Sequence, residues 1–183
     1  KFFVERMLED FNRAYGTRFV GLRYFNAAGA TELRGEDHKP ETHLIPLVLF
    51  VALGKRGTIN VFGDDYGTHD GSCVRDYVHI ADLAAAHWRA LGYLRKGGKS
   101  DFFNLGTGRG QSVLEVIEAA RKVSGREIRV KVEARRPGDA SYLVANAEKA
   151  ETILDWKPRY LEIEETIESA WKWHLAHPDG YAR

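Results

Sequence analysis

Short runs of β-branched and aromatic residues alternate with helix-patterned segments along the whole chain, and this alternation confines it to the α/β class with parallel strand pairing. Phe2, Phe3, Met7, Leu8 and Phe11, with Val4 beside them, recur at three- and four-residue spacing and predict a helix over 2–14 with one broad apolar face. Gly16 supplies its left-handed cap. Residues 19–25 predict a strand, and the polar stretch from Asn26 to Thr42 a long loop of the functional or mobile kind. Further helices are predicted over 44–53, with Pro46 tolerated in the first turn, and over 80–95, 113–124, 147–154 and 162–177. Ser112 with Glu115 forms a capping-box pattern ahead of the helix at 113. Strands are predicted over 58–62, 101–105 and 128–132, separated by loops at 63–72 and a turn at 106–111. No repeat, low-complexity run or linker interrupts the pattern.

Composition narrows the function classes. With 44% hydrophobic and 29% charged residues among 183, the chain can build a core. A net charge of +1 removes the electrostatic case for nucleic-acid binding. No apolar run approaches the ~18 residues of a membrane span, and no leader pattern opens the chain. The single cysteine, Cys73, excludes an intramolecular disulfide and a cysteine zinc cluster. A cytoplasmic protein is expected. Lys1 opens a helix at once, without Met or a capping residue, which suggests the C-terminal piece of a longer protein.

Few residues carry chemistry by themselves. Asn26 stands at a strand's carboxyl end, where open α/β sheets place ligands, and suits either a turn cap or a contact to a hydroxyl or phosphate oxygen. The turn Gly106-Thr107-Gly108-Arg109-Gly110-Gln111 follows a strand and opens a helix, but Gln111 replaces the third glycine of the dinucleotide fingerprint. It reads as a tight structural turn. Arg75 and Arg136 lie on what read as two separate loops; each suits a surface ion pair, and together they suit a clamp on a diphosphate. His174 and His177 share a helix face without a third ligand, so a solvated terminal helix is expected there and no metal site. No nucleophile-elbow pattern is present.

The ordered set Lys1-Phe2-Phe3-Val4-Glu5, Arg23-Tyr24-Phe25-Asn26, His43-Leu44-Ile45-Pro46, Phe62-Gly63-Asp64-Asp65-Tyr66, Asp70-Gly71, Val74-Arg75-Asp76-Tyr77-Val78-His79, Asp82-Leu83-Ala84, Asn104-Leu105-Gly106-Thr107-Gly108 and Arg135-Arg136-Pro137-Gly138-Asp139 resembles the UDP-glucose 4-epimerase family of extended short-chain dehydrogenases/reductases. The resemblance spans essentially the whole chain. It implies part of a Rossmann-like NAD domain (residues 1–26, with strand 101–105 returning to its sheet) joined to a smaller nucleotide-sugar-binding α/β domain over most of 27–183. The glycine-rich fingerprint and the catalytic tyrosine would belong to a missing N-terminal half, since Lys1 matches the lysine of the family's Tyr-x-x-x-Lys motif.

By the same resemblance Lys1 would bind the nicotinamide ribose of NAD and lower the tyrosine's pKa. Tyr24 and Phe25 would approach the cofactor, and Asn26 the diphosphate of a UDP-sugar. His43 and Leu44 would line the sugar side, Asn60 and Phe62 would hold the uracil, Arg75 and Arg136 the diphosphate, and Asp139 the uridine ribose. The implied reaction interconverts UDP-glucose and UDP-galactose through a 4-keto sugar; members of the family are commonly homodimers, and the aromatic face of the first helix suits either that dimer contact or packing against the missing sheet. The piece alone is expected to be inactive. His43 and Gly67 depart from common family residues, and Leu143 falls near a position that bears on N-acetylated sugars. A related 4-epimerase for N-acetylated or pentose sugars, and a non-catalytic nucleotide-sugar-binding module, are the other readings.

Overall fold

The computed structural model describes residues 1–181. Six helices, α1 (Phe2–Tyr15), α2 (Leu44–Ala52), α3 (Ile80–Arg95), α4 (Val113–Ser124), α5 (Glu148–Leu154) and α6 (Ile163–Ala176), match the periodic segments to within two residues. The strands are β1 (Val20–Tyr24), β2 (Asn26–Ala28), β3 (Ile59–Phe62), β4 (Val74–His79), β5 (Asp101–Leu105), β6 (Gly110–Ser112), β7 (Val130–Glu133) and β8 (Tyr142–Leu143). β1 pairs with β5, β2 with β4, β3 with β7 and β8 with β4, all in parallel, while β4 with β6 is antiparallel. The α/β class with parallel pairing is what the alternation required.

Four strands are additional to those expected from sequence patterning. β4 is the consequential one, because it puts Arg75 on a strand rather than on a loop. The polar pair Arg75-Asp76 interrupts its apolar run, and hydrophobic periodicity reads only what is apolar. β2, β6 and β8 are two or three residues long, too short to show a period.

Two hydrophobic cores fill the molecule. One joins α2, α4, α6 and β3 around Val48, Leu49, Val116, Ile117 and Ile167. The other packs α3 and α5 against β5 around Phe103, Leu105, Ala150 and Trp156. Full burial of each large side chain contributes on the order of 1.5–3 kcal/mol. Local chemistry sets the helix ends as the sequence indicated: Ser112 Oγ accepts the Glu115 N–H at 3.0 Å, Glu115 Oε2 accepts the Ser112 N–H at 2.7 Å, and Gly16 closes α1 at φ 67°.

The expectation of a solvated terminal helix fails on one face. α6 buries Ile163, Thr166, Ile167, Ala170, Trp173 and His174, with the His174 ring edge-on to Phe50. A polar joint fixes its middle. Ser169 Oγ accepts the Ala30 N–H at 2.9 Å, lies 3.0 Å from His79 Nε2 and donates to the Thr166 carbonyl at 2.7 Å. His79 Nδ1 accepts the Ala81 N–H at the start of α3, so Nε2 carries the ring proton and donates to Ser169. Strand β4, the stretch after β2, and α6 thus meet at one hydroxyl.

α1 stands apart. None of its residues is buried, and Phe2, Phe3, Val4, Met7 and Phe11 face outward. It is tied to the carboxyl end of β1 by Glu5, whose two oxygens accept Arg23 Nε and Nη2 at 2.7 and 2.5 Å. That pair of hydrogen bonds from Arg23 holds the Glu5 carboxyl below the usual carboxylate range. No helix among the described residues is long and apolar enough to cross a membrane.

Candidate functional site

A cleft of about 630 Å³ opens past the carboxyl end of β1 and alongside β2, β3 and β4, walled on other sides by α2, α6 and the loop after β7. Open α/β sheets hold ligands beyond the carboxyl ends of their strands, as here at β1. Nine of the residues singled out in sequence line it. Phe25 and Asn26 come from the β1–β2 junction, His43 and Leu44 from the start of α2. Asn60 and Phe62 come from β3, Arg75 from β4, and Arg136 and Asp139 from the turn after β7. Lys1 and Tyr24 lie outside it. Tyr24 is nevertheless exposed at the tip of β1, and the Glu5–Arg23 pair brings the first turn of α1 to the same end.

Alternation along β3 explains how it serves core and cleft together. Ile59 and Val61 are buried, while Asn60 and Phe62 turn to the cleft. The backbone alternates too: the N–H groups of Ile59 and Gly63 bond to β7, at 2.8 and 2.9 Å. The peptide groups of Asn60 and Phe62 therefore point to the opposite edge, which pairs with no strand among the described residues. An unpaired strand edge offers donors and acceptors in a fixed row.

The two arginines reach one carboxylate. Arg136-Pro137-Gly138-Asp139 is a tight turn with Pro and Gly at its centre, Gly138 at φ 85°, and the Asp139 N–H bonded to the Arg136 carbonyl at 3.3 Å. The turn brings Asp139 Oδ2 within 3.2 Å of Arg136 Nε. Asp139 Oδ1 lies 3.5 Å from Arg75 Nη2, while Arg75 Nη1 donates to the carbonyls of Val74 and Ala140. Arg136 also stacks its guanidinium 4.3 Å from the Phe62 ring centre. Two guanidinium charges against one carboxylate leave a positive surplus, held in place by backbone, ring and counter-ion. Such a rim can take an anion through charge-assisted bonds. Asn26 sits beside it, one amide N–H given to the Asp76 carbonyl at 3.1 Å across the β2–β4 pair.

The glycine-rich turn at 106–108 has its donors occupied. Asp76, fully buried, accepts the Thr107 N–H and Oγ1–H on one oxygen, both at 2.8 Å, and the N–H groups of Gly108 and Ala145 on the other, at 3.0 and 3.1 Å. A protein carboxylate therefore sits where a phosphate loop would hold its phosphate. A Cβ at Gly106 would come within 2.5 Å of the Ala145 Cβ and Asp76 Oδ2, which is why that position is glycine.

Further lining residues lie outside the site expected from sequence. Tyr77 and Trp173, and His174 that was expected on a solvated helix, line the cleft from β4 and α6. Burial pushes the Tyr77 phenol up and the His174 imidazole down. Trp173 Nε1 is buried without a hydrogen-bond partner among the described residues. The i, i+3, i+4 series 163, 167, 170, 174 carried the signal for α6 being buried, but not for its facing a cavity. Leu143 on β8 pairs in register with Arg75 and lies half-exposed outside the cleft lining.

Residues 1–106 match the model of the NAD dependent epimerase/dehydratase family. This chain belongs to that family. Among its relatives, the UDP-glucose 4-epimerase of Halalkalibacterium halodurans is 54% identical across the whole of this chain, which covers 55% of that protein. A crystal structure of a UDP-glucose 4-epimerase superposes with a TM-score of 0.95 at 52% identity, over 98% of this chain and 55% of the other. The Bifidobacterium longum UDP-glucose 4-epimerase, solved with NAD+ and UDP, matches at a TM-score of 0.91 and 42% identity, over 99% and 55%. The chain of this family member thus spans about half the length of the relatives it matches.

Proposed function

We propose that the chain is the nucleotide-sugar-binding portion of an NAD-dependent UDP-glucose 4-epimerase, its cleft holding the UDP moiety. The observation that carries this reading is the surplus positive charge where Arg75 and Arg136 share Asp139 beside Asn26. A diphosphate satisfies that surplus through paired charge-assisted bonds. The free peptide edge at Asn60 and Phe62 would pair with the uracil edge, and Asp139 would accept from a ribose hydroxyl. His43 and Leu44 would face the sugar.

Only one end of a dinucleotide fits this chain. The Thr107 and Gly108 N–H groups of the turn are taken by Asp76, which leaves it without those donors for a pyrophosphate. Tyr24 and Phe25 at the carboxyl end of β1, and Lys1 ahead of the helix that Glu5 ties to Arg23, would serve the nicotinamide ribose, and Lys1 would supply the ammonium that favours a neighbouring phenolate. NAD, when bound, accepts the hydride from the sugar's C4 and returns it to the opposite face. The protein's own task is to anchor the nucleotide while leaving the 4-keto sugar free to turn over.

In this reading the catalytic tyrosine and the dinucleotide fingerprint come from an N-terminal half, and the chain alone is inactive. The exposed apolar face of α1 is covered in the assembled homodimer. The test supplies the complementary N-terminal portion of the H. halodurans relative and follows UDP-galactose conversion. Turnover is expected only with both parts present, and loss of it with Lys1→Met. Turnover by the chain alone, or unaltered turnover in Lys1→Met, would overturn the reading.

A further inference from the structure

The segment between β2 and α2 carries Glu36, His38, Glu41 and His43, and one ligand atom from each lies within 4.8 Å of all the others. We propose that these four side chains bind a single transition-metal dication of the zinc type at the rim of the cleft.

Donor chemistry selects the ion. Two imidazoles and two carboxylates make a mixed nitrogen and oxygen set suited to zinc and its neighbours, whereas magnesium and calcium prefer oxygen alone. With both imidazoles neutral, the two carboxylates balance a dication.

Geometry places Glu41 at the centre. Its side chain is only 6% exposed, and Oε1 lies 2.8 Å from His43 Nδ1 and 3.9 Å from His38 Nδ1. The two imidazole rings stand 5.4 Å apart between centres, so both sit against one carboxylate. Zinc bonds of ~2.0–2.2 Å set neighbouring donors ~3–4 Å apart, a closure of about an ångström from the spacing here. The ion would take the place of the His43–Glu41 hydrogen bond.

A second histidine-carboxylate group serves as a contrast. His69 lies 3.2 Å from Glu115 and 3.8 Å from Asp70, but Glu115 completes the α4 capping box and Asp70 accepts from Ser72 and Ser112. Those carboxylates have structural work. Among the described residues, Glu36 accepts from the His38 N–H, and Glu41 accepts from the N–H groups of Thr42 and His43 and faces the two imidazoles. Glu36 and His43 also line the cleft, and His43 sits at the N-cap of α2 without making a side-chain capping bond. A bound ion would therefore pin this wall of the cleft to the start of α2.

The test strips the full chain with a chelator and titrates it with Zn2+ alone by calorimetry, with Co2+ absorption as a second probe. One ion per chain is expected, with affinity falling at least about tenfold in His38→Ala and in Glu36→Gln, and the visible Co2+ bands lost alongside. His38 is half-exposed and Glu36→Gln is isosteric, so neither removes a core contact, and far-UV circular dichroism checks that both fold. His69→Ala is expected to bind as the parent does. Absence of Zn2+ binding, affinity unchanged in both variants, or loss of binding in His69→Ala would overturn the proposal.

Discussion

Two anion-receiving regions flank strand β4 and have opposite fates. At the turn 106–108 the backbone donors converge on the buried Asp76 carboxylate and are saturated from within. At the turn 136–139 two guanidinium groups converge on Asp139 and retain a positive surplus facing the cleft. Adjacent residues of one strand serve the two: Arg75 reaches the cleft and Asp76 the turn, because successive side chains point to opposite faces. A glycine-rich turn is a ligand site only when nothing inside the protein has taken its N–H groups. The difference therefore lies in which donors remain uncommitted.

The largest expected effect strikes the saturated turn. Asp76 is itself fully buried, and Asp76→Ala strips partners from three N–H groups, that of Ala145 buried, and from a hydroxyl; about 3–5 kcal/mol of folding free energy is the expected cost in denaturant titration. A loss below about 1 kcal/mol would erase the contrast between the two regions. Next comes Gly106→Ala, whose added methyl meets the Ala145 Cβ and Asp76 Oδ2 at 2.5 Å; about 1–3 kcal/mol is expected by the same measurement. At the open rim, Arg136→Ala removes a largely exposed ion pair, so folding stability should move by no more than about 1 kcal/mol.

A smaller effect comes from the far end of the same strand. Burial holds the His79 imidazole below its ordinary value while its Nδ1 accepts the Ala81 N–H. The unfolded chain then binds the proton more readily. The stability from the neutral ring is fully present above the ordinary histidine value of about 6.5 and is lost as pH falls through the lower folded value. His79→Gln should flatten that part of the acid limb in a pH series of unfolding midpoints; an unchanged limb would contradict the neutral ring.

Much of this was legible before any coordinates. Helices 80–95 and 113–124 were readable to the residue, because their apolar spacing and the Ser112–Glu115 box are local signals. The paired arginines were readable as a candidate clamp from guanidinium chemistry. β4 was not, since Arg75 and Asp76 serve the cleft and the turn and so break the apolar run that marks a strand. That Asp76 silences the glycine turn was hidden too, because the two lie about thirty residues apart and meet where β4 and β6 pair antiparallel, with Asp76 opposite Gly110. The Glu36 to His43 cluster escaped because an irregular loop has no period by which to place four side chains together.

Receipt of a diphosphate by the arginine rim is the property that decides what this cleft is for. Calorimetric titration of the chain with UDP and with uridine, for the parent and for Arg75→Ala/Arg136→Ala, tests it most directly. UDP should bind at least about tenfold more tightly than uridine to the parent, and the double variant should bring the two ligands together. Equal affinity for UDP in parent and double variant would contradict the assignment of this cleft.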